Sequence, residues 1–249
     1  MLQTNAALSA RFPDGVDAII IGYMQSKKRD WEHIAASGEY ETCLDIPQDM
    51  LHPGLQGACR GGHLELANLM ISHGANKLIY GLQGACRGGH LELVNLMISR
   101  GASDWNFGLY DACRGGHLDL ANLISRGAND WNYGLQGSCR GGHLGLVNLM
   151  ISRGADNFNR GMRYACHGGH LELAKLMISR GANCWNSGLY IACRGGHVEL
   201  ANLMISRGAN DWSSGLQGAC RGGHRELTNL MITRGATKCA YCDKPVSSH

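Results

Sequence analysis

The feature that most constrains this 249-residue chain is that most of it repeats itself. The dipeptide Gly-Leu, once Gly-Met, opens seven units that begin at Gly54, Gly81, Gly108, Gly134, Gly161, Gly188 and Gly215, with spacings of 26 or 27 residues. The fourth unit reads GLQGSCRGGHLGLVNLMISRGADNFNR. Near-identical units with a period of about 20–50 residues indicate a stacked array rather than a conventional globular core.

Each unit predicts two short helices separated by a Gly-Gly pair. The first helix covers GLQGACR and the second covers LELANLMISR, which ends before a Gly-Ala that is typical of a helix C-cap. The apolar residues of the second helix fall on one face, as Leu64, Ala67, Met70 and Ile71 do in the first unit. Asn106 and Asn132 precede later Gly-Leu pairs and are candidate N-caps.

A single unit of this size cannot bury its apolar face, whereas stacked units bury it against each other. We therefore predict an all-α solenoid of about seven helix–turn–helix repeats over residues 54–238. The third unit reads LDLANLISRGA and lacks one residue of the second helix, so we expect a shortened or tightened helix near Leu123 and Ile124 and a change of twist there.

Composition excludes several classes of protein. The net charge is +3, and so small a basic excess argues against a dedicated nucleic-acid binder. The N-terminal residues lack the apolar stretch of a secretory signal, and the early apolar run AIIIG is too short to span a membrane. Eleven cysteines without such a signal favour reduced thiols in an intracellular, cytoplasmic protein.

The repeated unit resembles the ankyrin repeat. That family's pattern T-P-L-H-x-A-A-x-x-G-H-x-E-x-V-x-x-L-L-x-x-G-A lies over YGLQGSCRGGHLGLVNLMISRGA, residues 133–155. The unit differs in replacing Thr-Pro by an aromatic residue and Gly, and in having 27 residues where the family has about 33. The missing residues fall where the family places a β-hairpin, so we expect a helix–loop–helix stack. Short units of this kind are similar to ankyrin arrays encoded by large DNA viruses of amoebae.

Residues 1–53 do not repeat, and we expect them to form an N-terminal helical cap. Within them, the segment FPDGVDAIIIGYMQSKKRDW, residues 12–31, weakly resembles the start of an F-box. That resemblance implies docking to a ubiquitin-ligase subunit. The alternative is a plain amphipathic capping helix, which we favour.

Seven C-x-x-x-H pairs, of which Cys59 and His63 are the first, have the residue types of zinc ligands. Each pair supplies only two ligands, and the intervening glycines break the helix that would align them. The ankyrin resemblance implies a small buried residue at the Cys position and a structural His, and we favour that interpretation. The tail differs, because Cys239, Cys242 and His249 form C-x2-C-x6-H, which is three of four zinc ligands. The alternative for the tail is a frayed C-terminal cap with two free thiols.

Two kinds of residue column suggest nucleic-acid binding. An aromatic column contains Trp105, Trp131, Phe158, Trp185 and Trp212, which would either stack on bases or form a packing ladder. One arginine column contains Arg60, Arg87, Arg114, Arg140, Arg194 and Arg221 and is broken by His167, and a second contains Arg100, Arg126, Arg153, Arg180, Arg207 and Arg234. Because nearly every unit also carries acids, and because cations favour helix C-termini, we give nucleic-acid binding less weight than protein binding.

The positions that differ among the units predict where a partner binds. Packing positions must be the same in every unit, whereas exposed positions are free to differ. Two first-helix positions read Gln-Gly in four units but carry Tyr110, Asp111, Arg163, Tyr164, Tyr190 and Ile191 in the others. The ankyrin resemblance places this helix on the concave face, and Tyr and Arg often dominate protein interfaces. The Gln-Gly units would leave gaps there, and neutral drift on a tolerant surface is the alternative.

No catalytic constellation is present in the sequence. Seven copies of the same residues indicate a scaffold, because an active site is normally built once. We therefore expect a non-enzymatic, monomeric protein that binds a protein partner, without a cofactor other than zinc at the tail.

Overall fold

A computed structural model describes residues 35–37 and 50–236, and that part of the chain contains helices, turns and loops but no strand. The chain divides into two compact units, Met1–Asp104 and Trp105–His249. The boundary falls at the start of the third repeat, where the sequence gives no sign of a break. Both the F-box-like segment at 12–31 and the Cys239, Cys242 and His249 tail lie outside the described residues, and they remain predictions.

Every described repeat is a pair of helices. In the first unit these are α1 Leu51–Gly61, α2 Leu64–Ser72, α3 Leu78–Gly88 and α4 Leu91–Ser99. In the second unit they are α5 Trp105–Gly115, α6 Leu118–Ile124, α7 Trp131–Gly141, α8 Leu144–Ser152, α9 Phe158–Gly168, α10 Leu171–Ser179, α11 Trp185–Gly195, α12 Val198–Ser206, α13 Trp212–Gly222 and α14 Arg225–Thr233. Odd-numbered helices are the first helices of the repeats and even-numbered helices are the second. The prediction of an all-α, ankyrin-like solenoid of helix–loop–helix repeats is confirmed.

The first helices begin three residues earlier than the sequence predicted. In α7, Trp131 is the first helical residue, and the N-cap is Asp130, whose Oδ1 accepts a hydrogen bond from the Asn132 backbone N–H at 2.9 Å. Asn157 and Asp211 cap α9 and α13 in the same way. The N-cap prediction for Asn106 and Asn132 is therefore wrong, because both lie inside the first helical turn.

The two glycines at the end of each first helix have separate roles. In the fourth repeat Gly142 has a φ of 84°, in the left-handed region that glycine adopts at little cost. A Cβ added at Gly141 would instead collide with the carbonyl oxygen of Arg114 in the preceding repeat. One glycine therefore turns the chain and the other allows neighbouring repeats to touch.

The core of each repeat comes from both helices. In the fourth repeat Leu135 and Cys139 of α7 pack with Leu146, Val147 and Met150 of α8, and all five are at most 4% exposed. The same positions are buried in the other repeats, except that Cys220 and Thr228 of the seventh repeat are half-buried. Fully burying such side chains contributes about 1.5–3 kcal/mol each, so stacking, rather than the intrinsic stability of nine-residue helices, maintains the fold.

The shortened second helix expected in the third repeat is confirmed. Helix α6 has seven residues where the other second helices have nine. Ile124 takes the buried place that Met150 has in the fourth repeat, so the core register is kept and the missing residue is absorbed at the helix end. There the Ala128 N–H donates to the Ile124 carbonyl oxygen at 3.2 Å. The equivalent bond in the second repeat runs from Ala102 to Met97 and closes a turn that is one residue longer.

Among the described residues no helix is both long and apolar enough to cross a membrane.

Candidate functional site

The loops that replace the ankyrin β-hairpin are joined by a ladder of asparagines. Asn132 Oδ1 accepts hydrogen bonds from the backbone N–H groups of Asp156 and Asn157 in the next repeat, at 3.1 and 2.8 Å. Asn106, Asn159 and Asn186 make the equivalent bonds in the second unit. Sequence reasoning assigned two of these residues to caps. The signal that identifies them is an Asn directly after the aromatic residue in four consecutive repeats.

The C-x-x-x-H pairs are structural. His143 Nε2 donates to the Arg114 carbonyl oxygen of the preceding repeat at 3.2 Å, and His170 does the same to Arg140 at 3.1 Å. Cys139 has no exposed surface, and burial raises the pKa of its thiol to about 12. Within the described residues no group of His, Cys, Asp and Glu side chains could hold a metal ion.

The aromatic column packs against the ends of the second helices. Arg153 lies over the Trp131 ring at 5.2 Å from the centroid, and Arg234 lies over Trp212 at 5.9 Å. The second arginine column thus covers indole faces that base stacking would need. Most of these arginines, including Arg153, also occupy helix C-cap positions, where a cation is favourable. This geometry supports the packing ladder over the nucleic-acid interpretation of the aromatic column.

Charge is segregated between the two kinds of helix. In the second unit, the first helices carry six arginines, namely Arg114, Arg140, Arg160, Arg163, Arg194 and Arg221. Their one acid is Asp111, which is 8% exposed. The second helices carry the acids Asp119, Glu172, Glu199 and Glu226 near their first turns. We call the side chains that the first helices of the second unit expose the first-helix face, and its charge is positive.

The distance between neighbouring first helices depends on the residue at one position of the helix. A Cβ added at Gly137 of α7 would collide with the Tyr110 carbonyl oxygen of α5, and one at Gly218 of α13 with that of Tyr190. Where the same position carries Tyr164 or Ile191, the helices lie farther apart: α7–α9 and α9–α11 approach less closely than α5–α7 and α11–α13. The expectation that Gln-Gly repeats leave gaps is therefore wrong, because the glycines are the points of closest contact.

The wider spacing opens a groove across the first-helix face, with a volume of about 540 Å³. Its aromatic wall is formed by Phe107, Tyr133 and Tyr164, and its cationic wall by Arg140, Arg160 and Arg163; His167, Gln136 and Ile191 complete it. Arg160, Arg163 and His167 lie at i, i+3 and i+7 of α9, so they share one side of that helix.

Three of the predicted binding residues, Arg163, Tyr164 and Ile191, line this groove. Tyr110 lies beside them, with its ring 5.8 Å from that of Tyr164 and its hydroxyl accepting a 3.0 Å hydrogen bond from Arg140. Tyr190 receives the equivalent bond from Arg221. Asp111 was predicted to be an exposed contact, but it is buried, with 8% of its surface exposed.

Two residues that sequence reasoning did not select complete the site. Gln136 is 4% exposed, and its Nε2 has no hydrogen-bond partner. His167 stands in the arginine column; burial and then the charges of Arg140, Arg114 and Arg194 lower its pKa, so the ring is neutral at pH 7. The repeat comparison excluded Gln136 because four repeats share that Gln, although only this one is fully buried.

Comparison with known proteins agrees with the fold. Residues 162–205, from within α9 to the end of α12, match the family model described as ankyrin repeats (many copies). No curated protein matches the chain. Ankyrin repeats commonly mediate protein–protein interaction and are generally non-enzymatic. The matched segment and the repeated helix pairs around it are similar to ankyrin repeats.

Proposed function

We propose that this protein is a non-enzymatic scaffold that binds a protein partner on the first-helix face of its second unit. One observation carries the proposal. Three of the six residues that break the repeat pattern, Arg163, Tyr164 and Ile191, line a single groove spanning α5, α7, α9 and α11, and a fourth, Tyr110, lies beside it. If these residues had drifted neutrally, they would not be expected to share one site.

The composition of the groove suits a protein partner. Exposed aromatic and arginine side chains provide large contact areas and directional donors, and these residue types dominate protein interfaces. Phe107 is 43% exposed and packs edge-on against Tyr133, with ring centroids 5.2 Å apart. An exposed aromatic pair next to cations is a surface that gains free energy when a partner covers it.

The test is affinity purification from the native cell, with a variant that changes the surface without changing the helix spacing. Tyr110→Gln, Arg163→Gln and Tyr190→Gln each introduce the residue that Gln136 and Gln217 already provide in other repeats. The matched control carries Lys175→Asn, Val198→Leu and Thr228→Ala on the second helices, again using residues of other repeats. We expect the surface variant to melt within a few degrees of the parent and to lose the partner, whereas the control retains it. Retention of the partner by a folded surface variant would refute the proposal.

The adaptor alternative rests on the resemblance of residues 12–31 to an F-box. It predicts that ligase subunits co-purify with the full chain and are lost when residues 1–53 are removed. Recovery of the same partners without residues 1–53 would contradict it.

A further inference from the structure

We propose that the groove binds an extended acidic segment of the partner, with one partner carboxylate held by Gln136 Nε2 and the arginines around it. This inference rests on the proposed function and specifies the chemistry of the partner. A carboxylate is the acceptor that best suits Gln136 Nε2 and the groove arginines together.

Gln136 provides the first reason. Its amide nitrogen is buried in the groove wall and makes no hydrogen bond, and an unsatisfied buried donor is costly. Gln56, Gln83 and Gln217 occupy the same position in other repeats but are partly exposed, so water can satisfy them. At Gln136, an acceptor that enters the groove would remove this cost.

The charges provide the second reason. Arg140, Arg160 and Arg163 line the same groove as Gln136, and none of the described residues in its wall is acidic. The hydrogen bond from Arg140 Nη1 to the Tyr110 hydroxyl orients one guanidinium and uses one of its five N–H groups. Oriented guanidinium groups suit carboxylates, which accept two parallel hydrogen bonds from one arginine.

The repeat spacing indicates how such a segment would run. Packed helices lie about 8–10 Å apart, and three residues of an extended polyproline-II chain advance about 9 Å. A segment that crosses the helices with an acid at every third residue would therefore present carboxylates to Arg114, Arg140, His167 and Arg194 in turn. Nucleic acid is the competing ligand for a positive face, but two of the indoles that would stack its bases, Trp131 and Trp212, are covered by Arg153 and Arg234.

The probe is a fluorescein-labelled peptide of four Glu-Pro-Ala units, compared with its Gln-Pro-Ala counterpart and with a labelled single-stranded oligonucleotide of mixed sequence. We expect the acidic peptide to bind the full chain with an affinity that falls as salt is raised, and at least about tenfold more tightly than the neutral peptide. Tighter binding of the oligonucleotide, or equal binding of the two peptides, would overturn the proposal.

Two variants test the site itself. Arg160→Ser with Arg163→Gln uses the residues of the sixth or seventh repeat and should weaken acidic-peptide binding about tenfold or more. The control, Lys175→Asn with Arg225→Leu, removes the same two charges from the second helices and should leave binding within about twofold. Equal loss of peptide binding in the double variant and in its control would show that only the overall charge matters, and it would contradict a specific site.

Gln136→Leu separates a binding role from a structural one. Removing an unsatisfied buried donor should leave the melting temperature of the free protein unchanged or raised, yet weaken the acidic peptide about threefold or more. Unchanged peptide affinity would remove Gln136 from the proposal. If the acidic peptide fails to bind while the surface variant of the previous section still loses its partner, the binding face stands and the acidic ligand is wrong.

Discussion

Two neighbouring pairs of first helices show how one residue position changes this surface. In α11–α13 the position is Gly218, and the helices pack backbone against backbone. In α9–α11 the same position is Ile191, the helices lie farther apart, and the groove opens between them. The two helices that carry this position, α11 and α13, otherwise differ only in Asn186 against Ser213 and Tyr190 against Gln217. Groove formation in this repeat stack is thus controlled by the side chain that separates adjacent helices.

We call α5–α7 and α11–α13 the close pairs of first helices, and α7–α9 and α9–α11 the wide pairs. We predict that Gly218, in the close pair α11–α13, does not tolerate a side chain. Gly218→Ile places a branched side chain against the Tyr190 carbonyl oxygen, and we expect it to cost about 3 kcal/mol of unfolding free energy, typical of severe overpacking. Urea unfolding followed by circular dichroism measures this. Gly145→Ala is the control, because an added Cβ there meets nothing within 4 Å, and it should stabilise α8 by about 0.5–1 kcal/mol. Equal effects of the two changes would remove the distinction between the pairs.

The reverse change tests the wide pair. Ile191→Gly should lower the unfolding free energy by about 1–2 kcal/mol, because glycine is a poor helix former and the apolar contact is lost. The helices would then be free to approach as α11 and α13 do, and acidic-peptide binding should fall with the groove volume. A folded Ile191→Gly variant with unchanged peptide affinity would show that the groove does not depend on this spacer.

Much of this fold was predictable from the sequence because the repeat supplies seven readings of one pattern. The helix pairs and the short α6 followed from that pattern, and the small buried Cys and the structural His followed from the ankyrin resemblance. The spacing of first helices did not, because a Gly on a helix face is equally consistent with a surface gap and with close backbone contact. Asp111 was misassigned because variation between repeats was taken to mark exposed positions, whereas this varying residue is buried.

The histidine of the wide pair makes the protein less stable at low pH. Burial and the neighbouring charges, Arg140 first and then Arg114 and Arg194, lower the His167 pKa below its usual 6.5. The unfolded chain therefore binds this proton more readily, and the unfolding free energy falls as the pH drops through 6.5 towards the folded pKa. His167 is only partly buried, so solvent screens these interactions. The contribution of His167 to the unfolding free energy should therefore stay below about 0.5 kcal/mol. Urea midpoints between pH 7 and pH 5 should fall less for His167→Gln, and parallel curves would contradict this assignment.

Opening the groove should not expose the core beneath it, and the cysteines test this. Burial raises the pKa values of Cys113 on α5, in the close pair α5–α7, and of Cys139 and Cys166 on α7 and α9, in the wide pair α7–α9, in each case to about 12. Because the thiolate is the reactive form, about one thiol in ten thousand is ionised at pH 8. The partly exposed Cys184 has a raised pKa as well, but it remains accessible to reagent.

We therefore expect iodoacetamide at pH 8 to modify Cys184 before the three core cysteines, which should stay equally unmodified. Peptide mapping by mass spectrometry assigns each site, and full modification in urea confirms that every thiol is reduced. Faster labelling of Cys139 or Cys166 than of Cys113 would mean that the wide pair α7–α9 opens to the core. Equal protection would show that the spacer residues widen only the outer edge of the stack, because the Leu and Met layers below keep one packing in every repeat.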